Sequence, residues 1–335
     1  MKERNNSIDI AKGVGIFLVV LGHTTSNEIL LKWLYSFHMP LFFFLSGLFH
    51  SQGRSYKEFL RKKVKGLLIP YFSFAIILFL FFIIISKNIG FSAGENLSVK
   101  ENFMGIFIGT NIKNFSQVSW GGQLWFLLAL FLVSNITYFL EKVKLKSQII
   151  LNIVFIFINI YLSRKLKFYL PWCFLTVLMS VNFYWAGKKL KNYILNIKNN
   201  FKLYIIPLFS LNFLISYYNL KVDMWGNTYG NIFLFFLGAY SGIFFVILLV
   251  NNLLYQSKIL QYIGRNSLII LAFHRRAQTI TKVLVVFILK ISIPTNNIIF
   301  DIFYSIWEII LCVPIIYIIN EYFPYIIGRK KYDKK

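Results

Sequence analysis

Long uninterrupted apolar runs limit this chain more than any single motif. Segments such as Leu67–Ile85, Leu124–Val133 and Ile232–Val250 carry almost no charge and show no alternation of apolar and polar positions. A run of about 20 such residues reads as a transmembrane helix. In lipid every backbone polar group must be satisfied within the protein, which leaves helices or closed barrels. Barrel strands alternate lipid-facing and lumen-facing residues, so runs without alternation exclude a barrel. The composition agrees: 335 residues, 57% hydrophobic, 19% aromatic and only 14% charged. The expected fold class is therefore all-α, a polytopic integral membrane protein.

Length and hydropathy place about ten spans, near 10–25, 33–50, 66–86, 123–140, 148–163, 170–187, 203–218, 230–252, 266–290 and 297–320. They are expected to form one membrane-embedded domain over 1–335, without an appended soluble domain. The first apolar run lacks a small-residue cleavage site, so it reads as a retained span and not a signal peptide. The longest connection, 87–122, is polar and rich in Gly, Asn and Ser, and is expected to be a surface loop. Lys and Arg concentrate in alternate connections, including Arg61 to Lys65, Lys142 to Lys146 and Lys188 to Lys191. The positive-inside rule then places both termini in the cytoplasm, with Arg164 and Lys165 as an outward exception. This bias accounts for most of the formal net charge of +24, so that charge implies no nucleic-acid partner.

The first span holds the strongest functional signal. Lys12 and His23 are eleven residues apart, about three full turns and about 16 Å along one helix face. Asp9 lies on nearly the same face and can partner Lys12 at i+3. Charged groups placed this way in a span are costly and mark function. The second span begins near His38 and Pro40 and ends near Ser46 and Gly47, and its short link to the first brings His38 near the outer surface, like His23. Arg61, Lys62, Lys63 and Lys65 make a dense cytoplasmic cluster just before the third span. They read either as a topology anchor on anionic lipid or as a site for a phosphate-bearing ligand, with Arg61 the best bidentate donor. His274, Arg275 and Arg276 interrupt the ninth span and Glu308 the tenth. Intramembrane arginines should pair, so Arg275 or Arg276 is expected to meet Glu308.

Cys173 and Cys312 sit in apolar runs and read as small buried hydrophobes. No Cys/His spacing suits a metal, and no phosphate-binding glycine loop is present. If the chemistry is acyl transfer to an alcohol, as the resemblance described next implies, a base is needed, and histidine suits that role near neutral pH. His23 is the base of choice, and His38, Trp125 and Ser46 are candidates to stabilise the oxyanion. Transfer could be direct or pass through an acyl-His or acyl-Ser intermediate. A transporter or flippase of glycan intermediates is the alternative, since it too would use charged residues in a ten-span bundle.

Ile8-Asp9-Ile10-Ala11-Lys12-Gly13 with Gly22-His23, and Phe37-His38-Met39-Pro40 through Ser46-Gly47, resemble the signature of the acyltransferase family 3 membrane O-acyltransferases, closest to the fucose 4-O-acetylase-like branch. The similarity continues in Arg61 to Tyr71, in Leu124-Trp125-Phe126-Leu127, and in Ile263-Gly264-Arg265-Asn266-Ser267 with His274. The resemblance implies a ten-helix enzyme of the cell (plasma or inner) membrane that moves an acyl group, usually acetyl from cytoplasmic acetyl-CoA, to a sugar hydroxyl of a surface polysaccharide or its lipid-linked precursor. Acetyl-CoA is then a donor substrate, and no cofactor is held permanently. It further implies that Lys12 and His23 are the functional pair, Lys12 replacing an arginine common in the family. Arg61, Lys62, Lys63 and Lys65 would be associated with the CoA donor.

Overall fold

The computed structural model describes residues 6–51, 53, 55–86, 98–110, 122–166, 168–197, 199–290 and 296–329. Helices occupy all ten segments that the sequence marks as spans, and among the described residues the only extended pairing is an isolated bridge between Asp223 and Thr228. Among the described residues seven helices are long and apolar enough to cross a bilayer: Asn6–Thr24, Glu28–Gly47, Tyr56–Ile84, Gly122–Leu140, Leu145–Lys165, Ile232–Leu254 and Ile298–Tyr322. The protein is an all-α, multi-pass membrane protein. The helices in the other three segments are shorter: Phe174–Lys189, Ile205–Tyr218 and Ser267–Lys282, the last continued by a π-helical stretch over Val283–Ile288.

The chain divides into two compact units. The first comprises Met1–Leu48, Ala186–Met224 and Thr228–Ile316. Its centre is α1 (Asn6–Thr24), a helix apolar on most of its circumference and accordingly buried on most of it. Helix α2 (Glu28–Gly47) starts at Asn27, whose side chain accepts the Leu30 N–H at 2.9 Å, and runs on through Pro40. It is antiparallel to α1: Gly22 faces Leu34 and Tyr35, and Gly15 faces Leu41 and Phe42. This register follows from the three-residue link between the helices.

On another side α1 meets a short helix, Lys258–Arg265, at backbone contact. A Cβ on Gly13 would overlap the Leu260 carbonyl oxygen, and one on Gly264 would overlap that of Asp9. Gly13 and Gly264 thus let the two backbones touch, as in other small-residue helix interfaces. Arg265 is thereby brought to Asp9, its Nε 3.2 Å from the carboxylate. The unit is completed by Ile205–Tyr218 against Ile232–Leu249, where Asn212 donates to the Gly238 carbonyl at 2.7 Å and to Ser36 Oγ at 3.2 Å.

The second unit comprises Phe49–Trp185, Trp225–Asn227 and Tyr317–Lys335. Here Tyr56–Lys63 passes through a π-helical turn, Val64–Leu68, into the apolar helix Ile69–Phe81. The expected surface loop over 87–122 needs correction. Residues 87–97 and 111–121 lie outside the described residues, but Val99–Ile108 is a helix. Ser98 and Glu101 close a capping box at its start, and Gly109 ends it at φ 84°, a left-handed conformation that favours glycine. Its Ile106 carbonyl accepts the buried Tyr71 hydroxyl at 2.7 Å, and Phe103 packs on Phe79. The signal was legible: Ser98-Val99-Lys100-Glu101 followed by Phe103, Ile106 and Phe107 is a helix start with an apolar face.

Candidate active site

Helix α1 is continuous, so Lys12 and His23 stand on one rod about 16 Å apart. His23 falls in its last turn, where backbone carbonyls lack intrahelical donors. Two side chains from the helix Ser267–Lys282 supply them. Gln278 Nε2 donates to the His23 carbonyl at 3.2 Å, and an Arg275 guanidinium nitrogen lies 3.5 Å from the same oxygen and 3.0 Å from Gln278 Oε1. The cation also suits the negative end of the α1 dipole. Gln278 was missed in the sequence. Its i+4 spacing from His274 puts both on one face, which was the available signal.

The same face stacks His274 on His23, ring centroids 5.2 Å apart and planes inclined by 27°. His274 is fully buried. Its Nδ1 lies 2.9 Å from the Ile270 carbonyl, which can only accept, so Nδ1 carries a proton and the neutral ring offers its lone pair at Nε2. His38 is buried and uses Nδ1 in the same way, 2.6 Å from the Leu34 carbonyl. Its ring meets the Tyr35 ring edge-on, and Lys221 Nζ lies over the Tyr35 ring, 4.7 Å from its centre. The α1–α2 register puts His38 about one turn from the level of His23. It puts Ser46 near the level of Ala11, about 18 Å along α1 from His23, so Ser46 is removed from the oxyanion candidates at that end.

The expected ion pair at Glu308 is also corrected. Its buried carboxyl meets Thr24, whose hydroxyl lies 3.3 Å from both carboxyl oxygens and 3.0 Å from the Val20 carbonyl. Neither Arg275 nor Arg276 forms a salt bridge with it. The reason is geometric: Arg275 is already directed to the end of α1. Asp9 likewise finds Arg265, a residue 256 positions downstream, a partner that helical spacing within α1 could not suggest. Asp9 is 3% exposed, so it anchors a packed interface.

The basic cluster lies in the second unit. Arg61, Lys62 and Lys65 are exposed. Lys63 turns inward: its Nζ donates to the Tyr184 hydroxyl at 3.1 Å and lies 5.4 Å and 5.5 Å from the Phe59 and Tyr184 ring centres. His50 Nδ1 is 3.1 Å from the same hydroxyl. Trp125 opens the helix Trp125–Leu140, buried beside Phe126. Among the described residues no group of three or more His, Cys, Asp or Glu side chains is placed to hold a metal ion, and both cysteines are buried free thiols.

A family described as an acyltransferase domain, acyltransferase family 3, matches residues 5–317, a stretch that includes every residue of this site. The chain belongs to acyltransferase family 3. No curated protein and no solved structure matches it. The protein is a membrane acyltransferase, and the histidine pair, the arginine at the helix end and the exposed basic cluster are to be read as parts of such an enzyme.

Proposed function

We propose that this acyltransferase is an O-acetyltransferase, moving acetyl from cytoplasmic acetyl-CoA to a sugar hydroxyl of a cell-surface polysaccharide or its lipid-linked precursor, in the plasma (inner) membrane. The observation that carries this reading is the half-buried His23 ring, stacked on a second imidazole and held at a helix end whose carbonyl is capped. His23 takes the proton as the alcohol oxygen attacks the thioester carbon. The new O–C bond forms, the C–S bond breaks, and the proton passes to the departing thiolate to give CoA–SH. The Arg275 guanidinium is the group available to meet the developing oxyanion, since the His38 N–H is committed to the Leu34 carbonyl. Lys12, at the other end of α1, brings positive charge toward the donor. Arg61, Lys62 and Lys65 hold the CoA phosphates, as the family resemblance implies, with Lys63 bracing their helix.

Membranes carrying the protein, given labelled acetyl-CoA and the cell's own glycan, test this directly. Transfer of label to glycan is expected, and His23→Ala should lower it by about 10²–10⁴-fold. Undiminished transfer in that variant would remove His23 as the base. Retained glycan export with no label transfer in the unmodified protein would refute the acetyltransferase reading.

A further inference from the structure

His274 holds a buried acceptor atom that nothing among the described residues satisfies. The side chain is fully buried, its Nδ1–H is committed to the Ile270 carbonyl, and its Nε2 has no hydrogen-bond partner. Leaving such an acceptor unpaired costs about 1–3 kcal/mol, so a buried orphan requires an explanation. The orphan is not in a remote part of the core. It belongs to the ring stacked on His23. If His23 removes the proton of the attacked hydroxyl, that hydroxyl has no second proton to give.

Resting on the acetyltransferase reading above, we propose that His274 is the positioning residue that makes the site select an alcohol with a second hydroxyl on a neighbouring carbon, the vicinal diol of a sugar ring. His23 receives the proton of the attacked oxygen while His274 Nε2 accepts a hydrogen bond from the adjacent O–H. The two ring centroids are 5.2 Å apart. An acceptor without the second hydroxyl leaves Nε2 buried and unpaired, which is how a polar site rejects an analogue that lacks a group. No covalent bond to His274 is formed or broken.

Two substitutions separate this role from packing. His274→Phe keeps an aromatic ring against His23 and removes the acceptor. His274→Gln loses the ring and restores an acceptor oxygen near Nε2. In membranes with labelled acetyl-CoA and the cell's own glycan, Phe should lower the transfer rate about tenfold, the equivalent of one hydrogen bond. The KM for acetyl-CoA should not change, and Gln should recover most of the loss. NMR of the product should place the ester next to a carbon bearing a free hydroxyl. The proposal is overturned if Phe transfers like the unmodified protein, if Gln is no better than Phe, if the KM for acetyl-CoA moves instead, or if the ester has no hydroxyl neighbour. Absence of transfer by the unmodified protein refutes the enzymatic assignment on which the proposal stands, and not the role of His274 within it.

Discussion

Gly264→Ala tests the contact that sets the Lys12 end of the first helix. A Cβ there would overlap the Asp9 carbonyl oxygen and stand 2.7 Å from its carbonyl carbon and 2.8 Å from the Gly13 nitrogen. These are backbone atoms of a helix and cannot rotate aside. Ordinary carbon contacts begin near 3.4 Å, so the Lys258–Arg265 helix must retreat by about 1 Å. Forced overpacking of this kind costs about 1–3 kcal/mol. The retreat also stretches the Arg265–Asp9 bond, now 3.2 Å, around a carboxylate that is 3% exposed. Because Arg265 is 41% exposed, screening limits that part to about 1 kcal/mol. The total is about 2–4 kcal/mol, against helix propensity that would favour alanine by about 1 kcal/mol. Thermal unfolding in detergent, read by fluorescence at one heating rate because such unfolding is often irreversible, should show the midpoint falling by roughly 2–5 °C. Gly66→Ala is the control, since a Cβ there meets nothing within 4 Å. An unchanged midpoint for Gly264→Ala, or an equal fall for both variants, refutes the claim that backbone contact fixes this interface.

Two further outcomes follow from the corrected partners. Glu308→Gln keeps a side chain able to accept from Thr24, so it should cost less than about 1 kcal/mol in the same unfolding assay. A loss of 3–5 kcal/mol, the signature of a broken buried ion pair, would assign Glu308 to an arginine and not to Thr24. Lys63→Met should lower the unfolding midpoint by a few degrees through loss of its Tyr184 bond while leaving the KM for acetyl-CoA within about twofold, whereas Arg61→Ala should raise that KM with little effect on unfolding. The reverse pattern would assign Lys63 to the donor and Arg61 to packing.

The membrane class, the helical fold and the first-span pair were legible because they rest on local physics. A run of apolar residues must satisfy its own backbone in lipid, and an eleven-residue interval fixes one face of one helix, whatever surrounds it. Even the helix at Val99–Ile108 announced itself through its capping box. Partners were another matter. Glu308 could as well have met an arginine as a threonine, and only the docking of the helix Ile298–Tyr322 against the end of α1 placed Thr24 beside it. Asp9 pairs with a cation 256 residues away, because two glycines let that helix approach. Composition and spacing determined by themselves that this chain crosses a membrane as helices and carries a histidine and a lysine on one of them. The tertiary structure alone decided that His274 stacks on His23 and that Gln278 and Arg275 close the end of the first helix. Side-chain partnership between helices depends on rotation and approach, which helix packing sets and a linear pattern does not record.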